Sequence, residues 1–119
     1  MTTVLPVLDL GSDLCCAPIV RDAMSAQDAA NLALKFKAIG EPTRLRLLSL
    51  VAAHDGAEAC VCDLTEPVNL SQGTVSHHLK VLVDAGLLTR SKRGTWSFYA
   101  LVPGALDNLA DILRTPAAQ

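Results

Sequence analysis

Aromatic side chains are scarce in this sequence of 119 residues: Phe36, Trp96, Phe98 and Tyr99 are the full set. Half of the residues are apolar, and the bulk comes from Leu, Ala and Val, which suit helices packed on helices. A β-sandwich wants more aromatic residues and turn signals at short intervals, so that class is set aside. No uninterrupted apolar run approaches the ~20 residues of a membrane span. The stretch Met1 to Leu14 lacks a basic segment and carries Asp9 and Asp13 instead, which argues against a secretory signal and for a cytoplasmic protein. No set of nucleophile, base and oxyanion donors is present, and no phosphate-binding glycine loop, so no enzyme activity is expected. What remains is one domain, long enough to bury roughly two-thirds of the surface its unfolded chain exposes.

Charge of one sign does not dominate either, with 12 acids against 10 lysines and arginines. A net charge of −2 argues against a protein that coats nucleic acid indiscriminately. The distribution is uneven: residues 1–70 hold nine acids and five bases, whereas residues 71–119 hold five bases and three acids. Within 71–100, Lys80, Arg90, Lys92 and Arg93 face only Asp84. A local basic patch on an acidic chain fits selective contact with a polyanion. The four cysteines form two close pairs, Cys15–Cys16 and Cys60–Cys62. An even count allows two disulfides, but in a reducing compartment such thiols read as metal ligands or redox centres. The adjacent pair cannot close on itself without strain.

Residues 1–24 show no sustained period and contain Pro6, Gly11 and Pro18, the composition of an arm with little regular structure. A helix is expected from Ala26 to Ile39, with Ser25 as N-cap, Asp28 as capping-box partner, a stripe of Ala29, Leu32, Ala33, Phe36 and Ile39, and Gly40 as its stop. A second begins at Pro42 and runs to about Gly56, with Leu45, Leu47, Leu48, Val51 and Ala52 apolar. After a short loop, Cys60 to Thr65 leads into a brief helix limited by Pro67. Ser71 caps a further helix through about Ala85, with Val75, Leu79 and Leu82 inward and Gly86 at C′. This is a helix-turn-helix. Leu87–Arg90 and Thr95–Leu101 then form a β-hairpin joined by Ser91, Lys92, Arg93 and Gly94, a basic tip. A final helix follows Pro103, with Leu106, Leu109, Ala110 and Leu113 on a stripe that, with the first helix, makes a dimer seam. The fold class is mainly α with a β-hairpin wing, a homodimeric winged helix-turn-helix over residues 25–114, and 115–119 are a tail.

The helix after Ser71 carries the polar face of a major-groove reader. Ser71, Gln72, Thr74, Ser76 and His77 lie in its first two turns, where short donors and acceptors reach base edges, and Lys80 sits one turn further on for phosphate. Arg90, Lys92 and Arg93 on the hairpin are expected to contact backbone or minor groove beside it. Each residue singly also suits an ordinary solvated face; together they favour double-stranded DNA as the partner. His77 and His78 point about a quarter-turn or more apart on a helix, so one faces DNA and the other packs or caps, and they do not form a metal pair.

The stretch Leu70-Ser71-Gln72-Gly73-Thr74-Val75-Ser76-His77-His78-Leu79-Lys80, followed by Ala85-Gly86-Leu87, resembles the recognition helix of the ArsR/SmtB family of bacterial metal-responsive repressors. Phe36-Lys37-Ala38-Ile39-Gly40-Glu41-Pro42-Thr43-Arg44-Leu45 and Glu58-Ala59-Cys60-Val61-Cys62-Asp63-Leu64 resemble the same family, so that the likeness spans about residues 26–113. The resemblance implies a homodimer that binds an inverted-repeat operator when metal-free and releases it when metal binds. Gly73 departs from the proline usual in the family, which should loosen the first helical turn but keeps the cap and the reading residues.

Cys60 and Cys62 would diverge on a helix, but in an extended segment their thiols share one side with Val61 turned to the core. The positive end of the following helix favours the thiolate form that binds metal. Thiolates select soft, thiophilic ions. Arsenite takes three sulfurs, which leaves Cys60 and Cys62 one short, and the arm cysteines Cys15 and Cys16 can supply the third. Among relatives with such an arm, the resemblance implies that the arm of one subunit meets the Cys-x-Cys segment of the other; an intrachain site fits the sequence equally. The inducer is expected to be As(III), with Sb(III), Cd(II) and Pb(II) as further thiophilic candidates, and no cofactor is required. Asp63 reads as a cap in preference to a hard ligand, and His54 and Asp55 as surface. The last helix has Asp107 and Asp111 but no histidine, unlike the zinc site some relatives build at the dimer seam. Rival readings are a cadmium or lead sensor using all four cysteines, a thiol redox-switch repressor, and a winged-helix interaction module or metal carrier that never binds DNA.

Overall fold

The computed structural model describes Pro18 and residues 22–115; Cys15, Cys16 and most of the expected arm lie outside the described residues. In chain order the elements are α1 (Ala26–Ile39), α2 (Pro42–Ala53), a 3-10 turn (Asp55–Ala57), β1 (Glu58–Cys60), α3 (Val61–Val68), α4 (Gln72–Asp84), β2 (Leu88–Arg93), β3 (Trp96–Leu101) and α5 (Ala105–Leu113). They fall into two compact units: Leu32–Pro103, and a second made of the described residues before Leu32 and after Pro103.

The helix ends follow local chemistry. Ser25 Oγ accepts the N–H of Asp28 at the start of α1 (3.1 Å), and Glu41 accepts the N–H of Arg44 (2.8 Å) with Pro42 opening α2, where the missing proline N–H costs nothing. α4 ends in a Schellman motif: Gly86 adopts φ +82°, its N–H bonds Val83 O and that of Leu87 bonds Leu82 O, satisfying two carbonyls the helix would leave open. α2 stops at Ala53 rather than near Gly56, because His54 turns extended and Gly56 adopts φ +68°.

The core of the larger unit is aliphatic. Leu47 and Val51 of α2, Val61 and Leu64 of α3, Val75, Leu79 and Leu82 of α4, and Leu87 and Leu88 are fully buried, each of the leucines contributing ~1.5–3 kcal/mol relative to exposure. Leu45, expected inward, is 52% exposed; Leu47, Leu48 and Val51 are the face α2 buries. Of the expected stripe on α1, Leu32 is buried, Phe36 and Ile39 are half-buried and Ala29 and Ala33 are exposed, while Ala38, outside it, is buried. In the smaller unit α5 buries Leu109 and Ile112 and leaves Leu113, at the end of the stripe expected as a seam, exposed.

Three expectations are corrected. Pro67 does not limit α3 but lies inside it: the helix runs to Val68, and Asn69 in the left-handed region (φ 55°) returns N–H bonds to Thr65 and Glu66 with Leu70. A proline this close to the C-terminus of an eight-residue helix removes a single i→i−4 bond. The second correction is β1. The segment taken for a loop is a strand that pairs antiparallel with β3, Glu58 with Ala100, Ala59 with Tyr99 and Cys60 with Phe98, giving a three-stranded sheet of order β1-β3-β2. The wing hairpin is also longer than expected. Arg93 pairs with Trp96, so Ser91, Lys92 and Arg93 belong to the strand and only Gly94 and Thr95 make the turn. Gly94 supplies the positive φ (+65°) that a two-residue hairpin turn asks of its first residue. With α3 and α4 as its two helices and β2–β3 as wing, the larger unit is a winged helix-turn-helix.

Candidate nucleic-acid interface and thiol site

α4 is oriented by its buried edge. Because Val75, Leu79 and Leu82 face the core, a turn of 100° per residue sets Gly73, His77 and Lys80 on the opposite, outward arc. Gln72, Thr74, His77 and Lys80 are exposed and Ser76 is half-buried, so every reading residue expected on this helix is on its accessible side. The hydroxyl of Ser71 is committed to the helix: it accepts the N–H of Thr74 (3.2 Å) and donates to Thr74 Oγ1 (3.0 Å). Gln72, Ser76 and Lys80 form one wall of a groove of about 400 Å³, with Arg90, Thr95 and Ser97 of the wing on the other. Lys80 Nζ lies 2.8 Å from Asp84, an exposed i,i+4 pair of ~0.3–0.5 kcal/mol that a phosphate can displace.

The wing divides its bases between two faces. Side chains alternate along each strand, and directly paired residues share a face. Leu88 and Tyr99 are buried, so Arg90 (opposite Tyr99), Lys92 (opposite Ser97) and Ser97 stand on the side that holds the core and, beyond it, the groove to α4. Arg90 Nη2 donates to Ser97 Oγ (3.0 Å). Lys92 is exposed and makes no ion pair among the described residues. Arg93 is on the other face, where it meets Glu58 of β1 (2.6 Å) and stacks 4.4 Å over the ring of Phe98. Strand alternation therefore separates Arg93 from the two bases with which the sequence grouped it.

Two further basic residues position the reader, and sequence reasoning passed over both. Arg44 donates from Nε to Ala38 O (2.7 Å) and from Nη2 to Lys37 O (3.4 Å), and its Nη1 lies 3.3 Å from His78 Nδ1. It thus ties the end of α1 to α4, and His78 packs while His77 faces outward, as expected of adjacent helix residues. Lys35 Nζ donates to Ala85 O (2.8 Å), placing a positive charge at the negative end of α4. No local pattern marked Arg44, whose side-chain targets lie on α1 and α4.

Cys60 and Cys62 straddle the junction between β1 and α3. Cys60 ends the strand in extended geometry (φ −74°, ψ 148°) and is the N-cap of α3; Val61 is fully buried between the two cysteines, Cys60 is buried and Cys62 exposed. The two sulfurs are joined as a disulfide, with the Cα atoms 5.1 Å apart; they meet at a strand-to-helix junction, Cys62 lying in the first turn of α3, and not in the extended segment expected. Cys60 Sγ accepts the N–H of Cys62 (3.2 Å), and Cys60 N–H donates to Asp63 Oδ2 (3.2 Å). Asp63 is the N3 partner of a capping box, and His54 Nε2 lies 3.7 Å from the same oxygen. Joined as a disulfide the two sulfurs carry no thiolate; reduced by two electrons, the same pair would supply two thiolates side by side, a donor set that fits a soft ion. Among the described residues no cluster of three or more metal-ligating side chains occurs, so this site offers two sulfurs and Cys15 and Cys16 are outside what is described.

Residues 41–90 match the profile of "Bacterial regulatory protein, arsR family". The chain is 40% identical over 79 residues to an HTH-type transcriptional regulator of Methanocaldococcus jannaschii, a match covering 66% of this chain and 83% of that protein. It is 40% identical over 83 residues to an arsenical resistance operon repressor of Staphylococcus xylosus, covering 67% of this chain and 77% of the repressor. Among solved structures, the antimony-specific transcriptional repressor AntR superimposes with a TM-score of 0.63 at 30% identity, over 76% of this chain and 82% of that one.

Proposed function

The chain belongs to the arsR family of bacterial regulatory proteins, DNA-binding transcriptional regulators and not enzymes, and on that footing we propose that it is a homodimeric repressor that leaves its operator when trivalent arsenic, or antimony, binds its cysteine thiolates. The observation that carries this reading is the proximity of Cys60 and Cys62 at the start of α3, the helix packed against the reading helix α4; inducer binding requires their disulfide to be reduced to two thiolates. Two of the three sulfurs that arsenite takes are together there, and Cys15 or Cys16 supplies the third. The names of the Staphylococcus repressor and of AntR favour arsenic and antimony over other soft ions.

In this reading Gln72, Thr74, Ser76 and His77 meet base edges, and Lys80, Arg90 and Lys92 meet phosphates. Two protomers place their α4 helices in successive major grooves about 34 Å apart, which makes the operator an inverted repeat. Exposed apolar side chains on α1 (Leu34, 61% exposed) and on α5 (Leu113, 53%) support a subunit seam on those helices. Inducer binding ties the arm to the start of α3 and favours a protomer arrangement with the wrong helix spacing. By linkage, operator DNA weakens inducer binding by the same factor, and turning a mostly bound operator into a mostly free one takes ~5.5 kcal/mol of differential affinity.

The test is fluorescence anisotropy of its own promoter DNA, titrated with the protein with and without arsenite. Wild type should bind without arsenite and release with it, and Cys60→Ser and Cys62→Ser should bind and fail to release. Release by both single variants would remove the thiol pair from the mechanism. A second reading, a redox switch, is favoured by the same sulfur contact, and there release follows an oxidant instead. A cadmium or lead sensor would bind its ion through all four cysteines, which sulfur-to-metal absorbance distinguishes.

A further inference from the structure

The outer face of the sheet, turned away from the groove to α4, carries an arrangement that phosphate contact does not explain. By strand register and pleat alternation, Glu58, Cys60, Phe98, Trp96 and Arg93 all belong to this face. Arg93 bridges from the wing to β1 through Glu58, and its guanidinium lies over Phe98, the residue directly paired with Cys60. Among the described residues, the one basic side chain of the wing that is held by an acid is therefore also the one that reaches the strand ending in the thiol site, directly through Glu58 and indirectly over Phe98 of β3, which pairs with Cys60.

We propose that Arg93 is a positioning residue and not a DNA contact: latched by Glu58 and Phe98, it couples β1, and with it Cys60, to the wing. The inference rests on the reading that Cys60 takes the inducer. A strand of three residues has little pairing of its own to hold it, so its placement against the wing depends on such cross-strand contacts. When Cys60 is drawn toward an inducer, β1 carries Glu58 with it, and Arg93 transmits the shift to the strand that also bears Lys92 and Arg90. An ion pair half exposed to solvent gives a modest effect, on the order of two- to fivefold in the coupling.

The experiment measures operator affinity as a function of salt, with and without arsenite, for wild type, Arg93→Gln, Glu58→Gln, their double variant, Arg93→Lys and Lys92→Gln. Lys92→Gln should lower the slope of log affinity against log salt by roughly one unit, the signature of one lost phosphate contact, whereas Arg93→Gln should leave that slope unchanged. Arg93→Gln and Glu58→Gln should each reduce the arsenite-linked loss of affinity by the same two- to fivefold, the double variant no further, and Arg93→Lys should recover most of it. A slope reduced as much by Arg93→Gln as by Lys92→Gln, or arsenite effects that add in the double variant, would overturn the latch. If wild type ignores arsenite altogether, the inducer reading fails, and the salt slopes alone still decide whether Arg93 touches DNA.

Discussion

Replacing Arg44 by methionine should destabilise the winged helix by about 2 kcal/mol while keeping its apolar stem. The side chain donates to two carbonyls at the end of α1, at 2.7 Å to Ala38 and 3.4 Å to Lys37. Only the first is a full-strength geometry, since N–H···O bonds cluster at 2.7–3.2 Å. A bond from a charged donor contributes ~1.5–3 kcal/mol, and the partial exposure of Arg44 places it at the lower end. The contact with His78 Nδ1 (3.3 Å) adds a smaller share and is the one that bears on DNA binding, because it orients α4 against α2. For a domain of this size 1 kcal/mol shifts Tm by roughly 4–8 °C, so the variant should melt about 8–16 °C lower. Thermal unfolding followed by far-UV circular dichroism reads this directly, with Arg44→Lys expected to recover about half. A loss below ~0.5 kcal/mol in the methionine variant would mean that the α1–α2–α4 junction does not depend on Arg44.

Gly73→Ala should raise stability by ~0.4–1 kcal/mol, because the glycine lies in the first turn of α4 with nothing within 4 Å of an added Cβ and alanine reduces the freedom of the unfolded chain; an unchanged or lower Tm in a thermal melt would contradict the helical first turn. Gln72→Ala or Thr74→Ala should cost ~1–3 kcal/mol on the operator and little on unrelated DNA; equal losses on both would mean that α4 does not read bases. Leu34→Asp combined with Leu113→Asp should shift the protein to monomer in sedimentation equilibrium and weaken operator binding, since both side chains are exposed apolar groups in the single chain; a persistent dimer would move the seam elsewhere.

Helices were legible in the sequence because their signals are local. Ser25, Pro42, Ser71 and Gly86 each act within four residues, and the caps they make are observed where the pattern put them. β1 was not legible. Three residues are too few to show alternation, and what makes Glu58–Cys60 a strand is pairing with residues about 40 positions away. The same limit hid the Arg93–Glu58 bridge: charge counting grouped Arg93 with Lys92 as neighbours, while strand alternation sends adjacent residues to opposite faces. Ile112 of α5, buried beside Leu109, was not singled out, because a short helix with leucines at several spacings supports more than one stripe. The proximity of Cys60 and Cys62 was anticipated for an extended segment, but only Cys60 is extended; Val61 and Cys62 already belong to α3, and the sulfurs meet across the N-cap of that helix.

In the proposed mechanism, soft-ion binding by reduced thiols, and not their oxidation, releases the operator. Its most direct test is anisotropy of operator-bound protein under anaerobic conditions with every thiol kept reduced, challenged separately with arsenite and with diamide, for wild type and for the protein carrying both Cys15→Ser and Cys16→Ser. Wild type should release DNA with arsenite while its thiols remain reduced, and the variant lacking both arm thiols should bind the operator and stay bound. Release by diamide alone, or full arsenite response without the arm cysteines, would contradict the account.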